Sequence, residues 1–162
     1  MTAPGPGHEI TFTLNGSPIT VEISPVETLL ETLRRLHLLG CRESCAQGVC
    51  GTCTVLVDQR TVASCIYFAH LADGAVVETI EGLGSPGRLS TVQQAFIDEA
   101  GFQCGFCTPG MILSVTQLLR DNPEAEEEDI AHYLAGNICR CGAYPEIIKA
   151  ALRAAEALRL EV

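Results

Sequence analysis

No run of ~18 apolar residues occurs in the 162-residue chain, so the sequence offers no membrane-spanning helix. Basic residues are scarce. Ten Lys and Arg against 20 Asp and Glu leave a formal net charge of -10. That balance lacks the basic patch a nucleic-acid partner would need. Only four histidines are present, His8, His37, His70 and His132, and none stands within a cysteine pair. A Rieske-type site, which needs two histidines, is therefore disfavoured. No acid, base or nucleophile stands out as catalytic. Met1 to Gly7 is rich in Pro and Gly and has no apolar core, so it does not read as a signal peptide. The expectation is a cytoplasmic protein, with export alongside a partner left open. The length suits one or two small domains.

Cysteine, by contrast, is abundant: there are nine. The odd count and the tight spacings speak against a disulfide framework and for metal ligation. Eight of the nine fall into two quartets. Cys45, Cys50 and Cys53 are spaced x4 then x2, and Cys65 follows after eleven residues. This is the spacing of a plant-type 2Fe–2S loop. Glycines at 48 and 51 permit backbone conformations that aim N–H groups at the anionic sulfurs. Zinc also accepts four thiolates and is the alternative, but x4-x2 in a glycine-rich loop favours iron–sulfur.

The second quartet is Cys104-x2-Cys107 with Cys139-x-Cys141. Thr108-Pro109 follows the first pair and Pro145 the second, so both pairs precede helix starts. Free N–H groups and the positive ends of two helix dipoles would then face the bound group. Zinc and a redox dithiol remain the alternatives there. Cys41 is left over. Taking it as a ligand would break the x4 spacing, so it reads as a small, partly buried residue.

The patterning changes midway. Residues 9–14 and 19–23 alternate polar and apolar, with a hairpin turn at Asn15-Gly16. Ser24-Pro25-Val26-Glu27 reads as a helix start, with an apolar face of Val26, Leu29, Leu30 and Leu33 and a stop at Gly40. Strands are expected at 54–58, 61–67 and 76–80, giving the order of a ubiquitin-like grasp around one helix. Residues 81–87 compose a linker. Four helices follow: 91–100 opened by a Ser90/Gln93 box, one from Thr108 to about Asp121, 126–135, and one opened by Pro145. The last carries a stripe of Ile147, Ile148, Ala151, Leu152, Ala155 and Leu158. The expected class is α+β, with a β-grasp domain over 1–83 and a four-helix bundle over 84–162.

Residues 40–65 and 103–144 together resemble the small iron–sulfur subunit of the molybdenum hydroxylases, the family of xanthine dehydrogenase, aldehyde oxidoreductase and carbon monoxide dehydrogenase. The resemblance spans about residues 9–158. It implies a plant-type ferredoxin-like domain and a helical domain, each with a 2Fe–2S cluster, and so an electron-transfer subunit of an oxidoreductase complex. Cys45, Cys50, Cys53 and Cys65 would hold the cluster distal to molybdenum. Cys104, Cys107, Cys139 and Cys141 would hold the proximal one. Gln103 and Cys141 would touch molybdopterin, often present as the cytosine dinucleotide. That cofactor would be held by a large partner subunit, and an FAD-binding medium subunit is common but not universal. A hetero-oligomer is implied. The chain departs from the family at Cys41, Ser44, Gln59 and Gly142-Ala143, which touches loop geometry and no ligand. A free-standing ferredoxin is the rival from another class. The helical half and Gln103 count against it.

Overall fold

The computed structural model describes residues 7–160 except Pro86; the expectation that Met1 to Gly7 is no signal peptide lies, but for Gly7, outside the described residues. Two strands, β1 (His8–Leu14) and β2 (Ser17–Ile23), form the expected hairpin. Asn15 and Gly16 both take positive φ, 49° and 82°, as a two-residue turn between right-twisted strands demands. Then come helix α1 (Leu29–Arg35) and strands β3 (Thr54–Val57), β4 (Arg60–Ala63) and β5 (Val76–Glu78). The sheet order is β2-β1-β5-β3-β4, with β1 and β5 parallel and the other pairs antiparallel. Leu29, Leu30 and Leu33 of α1 pack into one core with Ile10, Phe12, Ile23, Val55, Val57 and Val77.

Helix α1 begins later and ends sooner than its sequence suggests. Its N-cap is Thr28, whose hydroxyl accepts from the Glu31 N–H while the Glu31 carboxylate accepts from the Thr28 N–H. Ser24 and Glu27 make only a turn, closed by the Glu27 N–H on the Ser24 carbonyl and the Ser24 N–H on the Glu27 carboxylate. Val26, expected on the apolar face, is 74% exposed. At the other end His37, not Gly40, takes the left-handed conformation at φ 63°. The His37 N–H then bonds the Arg34 carbonyl and the Leu38 N–H bonds that of Leu33, a Schellman closure. Strand β4 also stops short, so Cys65 stands on the turn after it.

The second half carries α2 (Thr91–Asp98), α3 (Thr108–Asp121), α4 (Glu127–Tyr133) and α5 (Tyr144–Leu160). The Ser90/Gln93 box forms as expected. Phe96, Met111, Ile130 and Ile147 lie in a separate core, against which Ile80 and Leu83 lean from the connecting segment. On α5 the buried face is rotated from the expected stripe. Ala150 and Ala154 are fully buried, while Ile148 and Leu152 are only partly so. Small side chains there let α2 lie close on α5. Helix α3 is the hinge of the design. It touches β3 and β4 on one side and the other three helices on the other, and Pro109 to Leu119 are all buried.

Candidate metal centres

Between Cys45 and Cys53 the loop turns back on itself at three residues of positive φ: Ala46 (51°), Gly48 (73°) and Gly51 (66°). Those turns point main-chain donors at sulfur. The N–H of Gln47 lies 3.4 Å from the Cys45 Sγ, and that of Gly48 lies 3.4 Å from the Cys65 Sγ. Cys45 reaches the Cys50 thiol, and Cys65 the Cys53 thiol. Three backbone N–H groups, of Gln47, Cys50 and Val49, hold the Cys45 thiol down at about 6. Burial pushes Cys65 up to about 11. The quartet is therefore two pairs, an outer one (Cys45, Cys50) and a buried one (Cys53, Cys65).

The second quartet repeats the scheme. Cys107 is the N-cap of α3. Cys139 and Cys141 stand just before α5, and the Ala143 N–H approaches the Cys139 Sγ at 3.4 Å. Cys104 reaches Cys141, and Cys107 reaches Cys139. The Phe106 N–H, the Cys141 thiol and the Arg42 charge lower the Cys104 pKa. At Cys139 burial opposes ionisation, but the N–H groups of Ala143, Cys141 and Gly142 and the Cys107 thiol prevail and lower it. Burial drives Cys107 up to about 12. Cys104 and Cys141 are exposed, Cys139 buried and Cys107 partly so.

Pairing tests which metal the donors fit. A structural zinc needs four ligands on one tetrahedron. A binuclear cluster takes two thiolates at each iron, and two adjacent pairs per quartet suit it. No disulfide joins any of the nine cysteines, all of which lie among the described residues.

Cys41 lies apart from both quartets. It is buried, its Sγ is 3.1 Å from the Ser64 Oγ and 3.6 Å from the Cys53 carbonyl oxygen, and burial pushes its thiol up to about 12. Ser64 in turn donates to the Cys53 carbonyl at 2.7 Å. Gln103 is exposed on the loop just before Cys104.

Three residues that tie the quartets together escaped the sequence reading. The main-chain N–H of Ile138, beside Cys139, donates to the Cys50 carbonyl at 2.9 Å. Asn137 sends its side chain across to Gly51 and Thr54. Arg42, from the first loop, donates to the Gly105 carbonyl and stacks over Phe106 at 5.3 Å. Tyr144 accepts the Cys139 N–H at 2.9 Å and donates to the Asn137 carbonyl at 3.1 Å. The only sequence signal for Asn137 and Tyr144 was their place flanking Cys139 and Cys141.

Comparison with known proteins bears on the whole chain. A model of the 2Fe-2S iron-sulfur cluster binding domain matches residues 12–78, and one of the 2Fe-2S binding domain matches 79–152. The chain is 42% identical over 157 residues to the aldehyde oxidoreductase iron-sulfur-binding subunit PaoA of Escherichia coli K12, covering 87% of this chain and 69% of that one. It is 43% identical over 157 residues to the nicotine 6-hydroxylase small subunit of Paenarthrobacter nicotinovorans, covering 95% and 94%. Its fold superposes on quinoline 2-oxidoreductase from Pseudomonas putida 86 with a TM-score of 0.91 at 36% identity, over 96% of this chain and 98% of that one.

Proposed function

Because the chain belongs to the small 2Fe–2S subunits of the molybdenum hydroxylases, we propose that Cys45, Cys50, Cys53 and Cys65 hold its first cluster and Cys104, Cys107, Cys139 and Cys141 its second. The protein is an iron–sulfur electron-transfer subunit of an oxidoreductase, with two 2Fe–2S domains. We set the domain boundary between residues 83 and 84. Bound clusters supply one-electron redox chemistry. The chain's residues supply everything else: thiolate ligands, N–H donors that stabilise their charge, and fixed spacing between the two sites.

The observation that carries this reading is the sorting of eight cysteines into two quartets of two pairs, each with one outward pair, joined by the Ile138–Cys50 hydrogen bond. Cys104 and Cys141 form the outward edge of the second quartet, with Gln103 exposed beside them. That edge is where the chain receives electrons from a large molybdopterin-binding subunit, with Gln103 and Cys141 touching the pterin, in its cytosine dinucleotide form. The outward Cys45/Cys50 edge passes them on to an FAD-binding medium subunit or another acceptor. The working assembly is a hetero-oligomer. Substrate chemistry lies in the partner, and the relatives' names alone span aldehydes, nicotine and quinoline. No helix among the described residues is long and apolar enough to cross a membrane. We place the subunit in the cytoplasm, where thiols are kept reduced and available as ligands.

Metal analysis tests the reading. Iron and acid-labile sulfide should each approach about four per chain, as two binuclear clusters require. Zinc without sulfide would defeat it. Gln103→Ala should keep both clusters and slow substrate-driven reduction of the second. A stable, fully active monomer whose native source yields no molybdenum partner would favour a free ferredoxin instead.

A further inference from the structure

We infer that Asn137 is the positioning residue that locks the two cluster loops into electron-transfer contact, an inference that rests on the assignment of the eight cysteines to two clusters. The side chain is nearly buried, at 7% exposure. A buried amide is costly unless its donors and acceptor are all used. Here they are. Its Oδ1 accepts from the Ser114 hydroxyl of α3 at 3.1 Å. Its Nδ2 donates to the Gly51 carbonyl at 3.0 Å and to the Thr54 Oγ1 at 3.3 Å. One amide thus fastens the central helix, the first quartet's loop and the second quartet's loop.

The main chain around Asn137 extends the grip. Its N–H bonds the Leu134 carbonyl at 2.8 Å, and its carbonyl accepts from the Tyr144 hydroxyl. The next N–H, of Ile138, holds the Cys50 carbonyl, and the residue after that is Cys139. Between Cys139 and Cys50 the path is therefore a short run of covalent bonds and one hydrogen bond. Electron tunnelling falls steeply with through-space gaps, so a loop slip that breaks this bond slows transfer without touching a ligand.

Gly51 shows how close the approach is. A Cβ there would lie 2.5 Å from the Gly136 carbonyl oxygen and 2.6 Å from the Asn137 Nδ2. Gly51 also holds φ at +66°, a region that side chains rarely adopt. From the far side, a Cβ on Gly110 of α3 would come within 2.4 Å of the Gly51 carbonyl oxygen. The Gly51 peptide is clamped between α3 and the Asn137 loop, and no side chain fits in the joint.

The test compares the wild-type and Asn137→Ala subunits in the assembled, cluster-loaded complex. Iron and sulfide are measured first and should be unchanged. The magnetic interaction between the two reduced clusters should weaken, and transfer from the second cluster to the first should slow several-fold. Gly51→Ala, which pushes the same loops apart from the other side, should reproduce both effects. The double variant should add little, as for two residues acting at one joint. Ser114→Ala leaves the Nδ2 grip on Gly51 in place and should give the smaller change. A fully loaded Asn137→Ala with wild-type interaction and transfer rate overturns the inference. Should that variant fail to fold, Gly51→Ala carries the same two readouts, and wild-type values there overturn it equally. Wild-type protein that holds no sulfide would overturn the cluster assignment itself, a failure visible before any substitution is made.

Discussion

Three cysteines of the first quartet, Cys45, Cys50 and Cys53, sit within nine residues of one loop, whereas the second quartet forms only when the starts of α3 and α5 are brought together. The first is closed by Cys65 from the turn after β4, within the same sheet domain. The second depends on a bundle whose helices must first pack: α2 on α5, and α3 against α2, α4 and α5. The first site is thus encoded locally and the second by tertiary structure. Local encoding resists distant damage, while tertiary encoding transmits it.

Ligand removal should give the largest effect and tests whether the quartets are independent. Cys45→Ser should lose the first cluster and Cys104→Ser the second, each leaving about half the iron, since each cluster binds through its own four thiolates. Iron analysis with electron paramagnetic resonance on each variant checks this. Cys41→Ser should keep both clusters, because Cys41 reaches Ser64 and the Cys53 carbonyl rather than a ligand pair. Loss of the first cluster there would mean a different ligand register.

Packing damage should then separate the two sites. Ala154 is fully buried in the second core. Ala154→Leu would overfill it, at a cost of ~1–3 kcal/mol. Thermal unfolding followed at cluster absorbance should show the second cluster lost at lower temperature and the first little changed. Simultaneous loss of both would erase the contrast between local and tertiary encoding.

Tyr144→Phe is a subtler probe of the second site. It leaves the Cys139 N–H and the Asn137 carbonyl without their shared partner, which costs ~1–3 kcal/mol for buried groups. The second cluster's resonance signal and potential should shift while the first cluster's stay put.

The smallest effect belongs to the first domain and appears in acid. Burial of Glu27 opposes its ionisation, but the Arg35 guanidinium, the Thr32 hydroxyl and the Ser24 N–H outweigh it and hold the carboxyl below its ordinary value. A lowered folded-state pKa means that the stabilisation is full above the unfolded value and is lost as pH falls through the folded one. Glu27→Gln should therefore cost ~1 kcal/mol near neutrality and flatten the acid limb of the stability profile. Denaturant midpoints across that range would show it.

The same contrast explains what could be read from the sequence. The quartets, the Asn15-Gly16 turn, the Ser90/Gln93 box and the start of α3 are local patterns, and all were legible. The start of α1 was misplaced at Ser24 because Ser24/Glu27 and Thr28/Glu31 carry equivalent chemistry. Only packing, which buries Leu29 and Leu33 and leaves Val26 outside, chooses between them. The rotated face of α5 followed from alanines whose value lies in allowing close approach, a property invisible to hydropathy. Asn137 meets Gly51 across 86 positions, and no spacing rule connects them. The residues assigned to the clusters could thus be picked out by their spacing, while those that tie one loop to the other could not.

Electron paramagnetic resonance of the fully reduced, assembled protein tests the central claim most directly. Two separate binuclear clusters predict two signals of distinct shape, each integrating to about one spin per chain, since each reduced 2Fe–2S cluster holds one unpaired electron. A single signal of one spin, or none in a zinc-loaded preparation, would contradict the account.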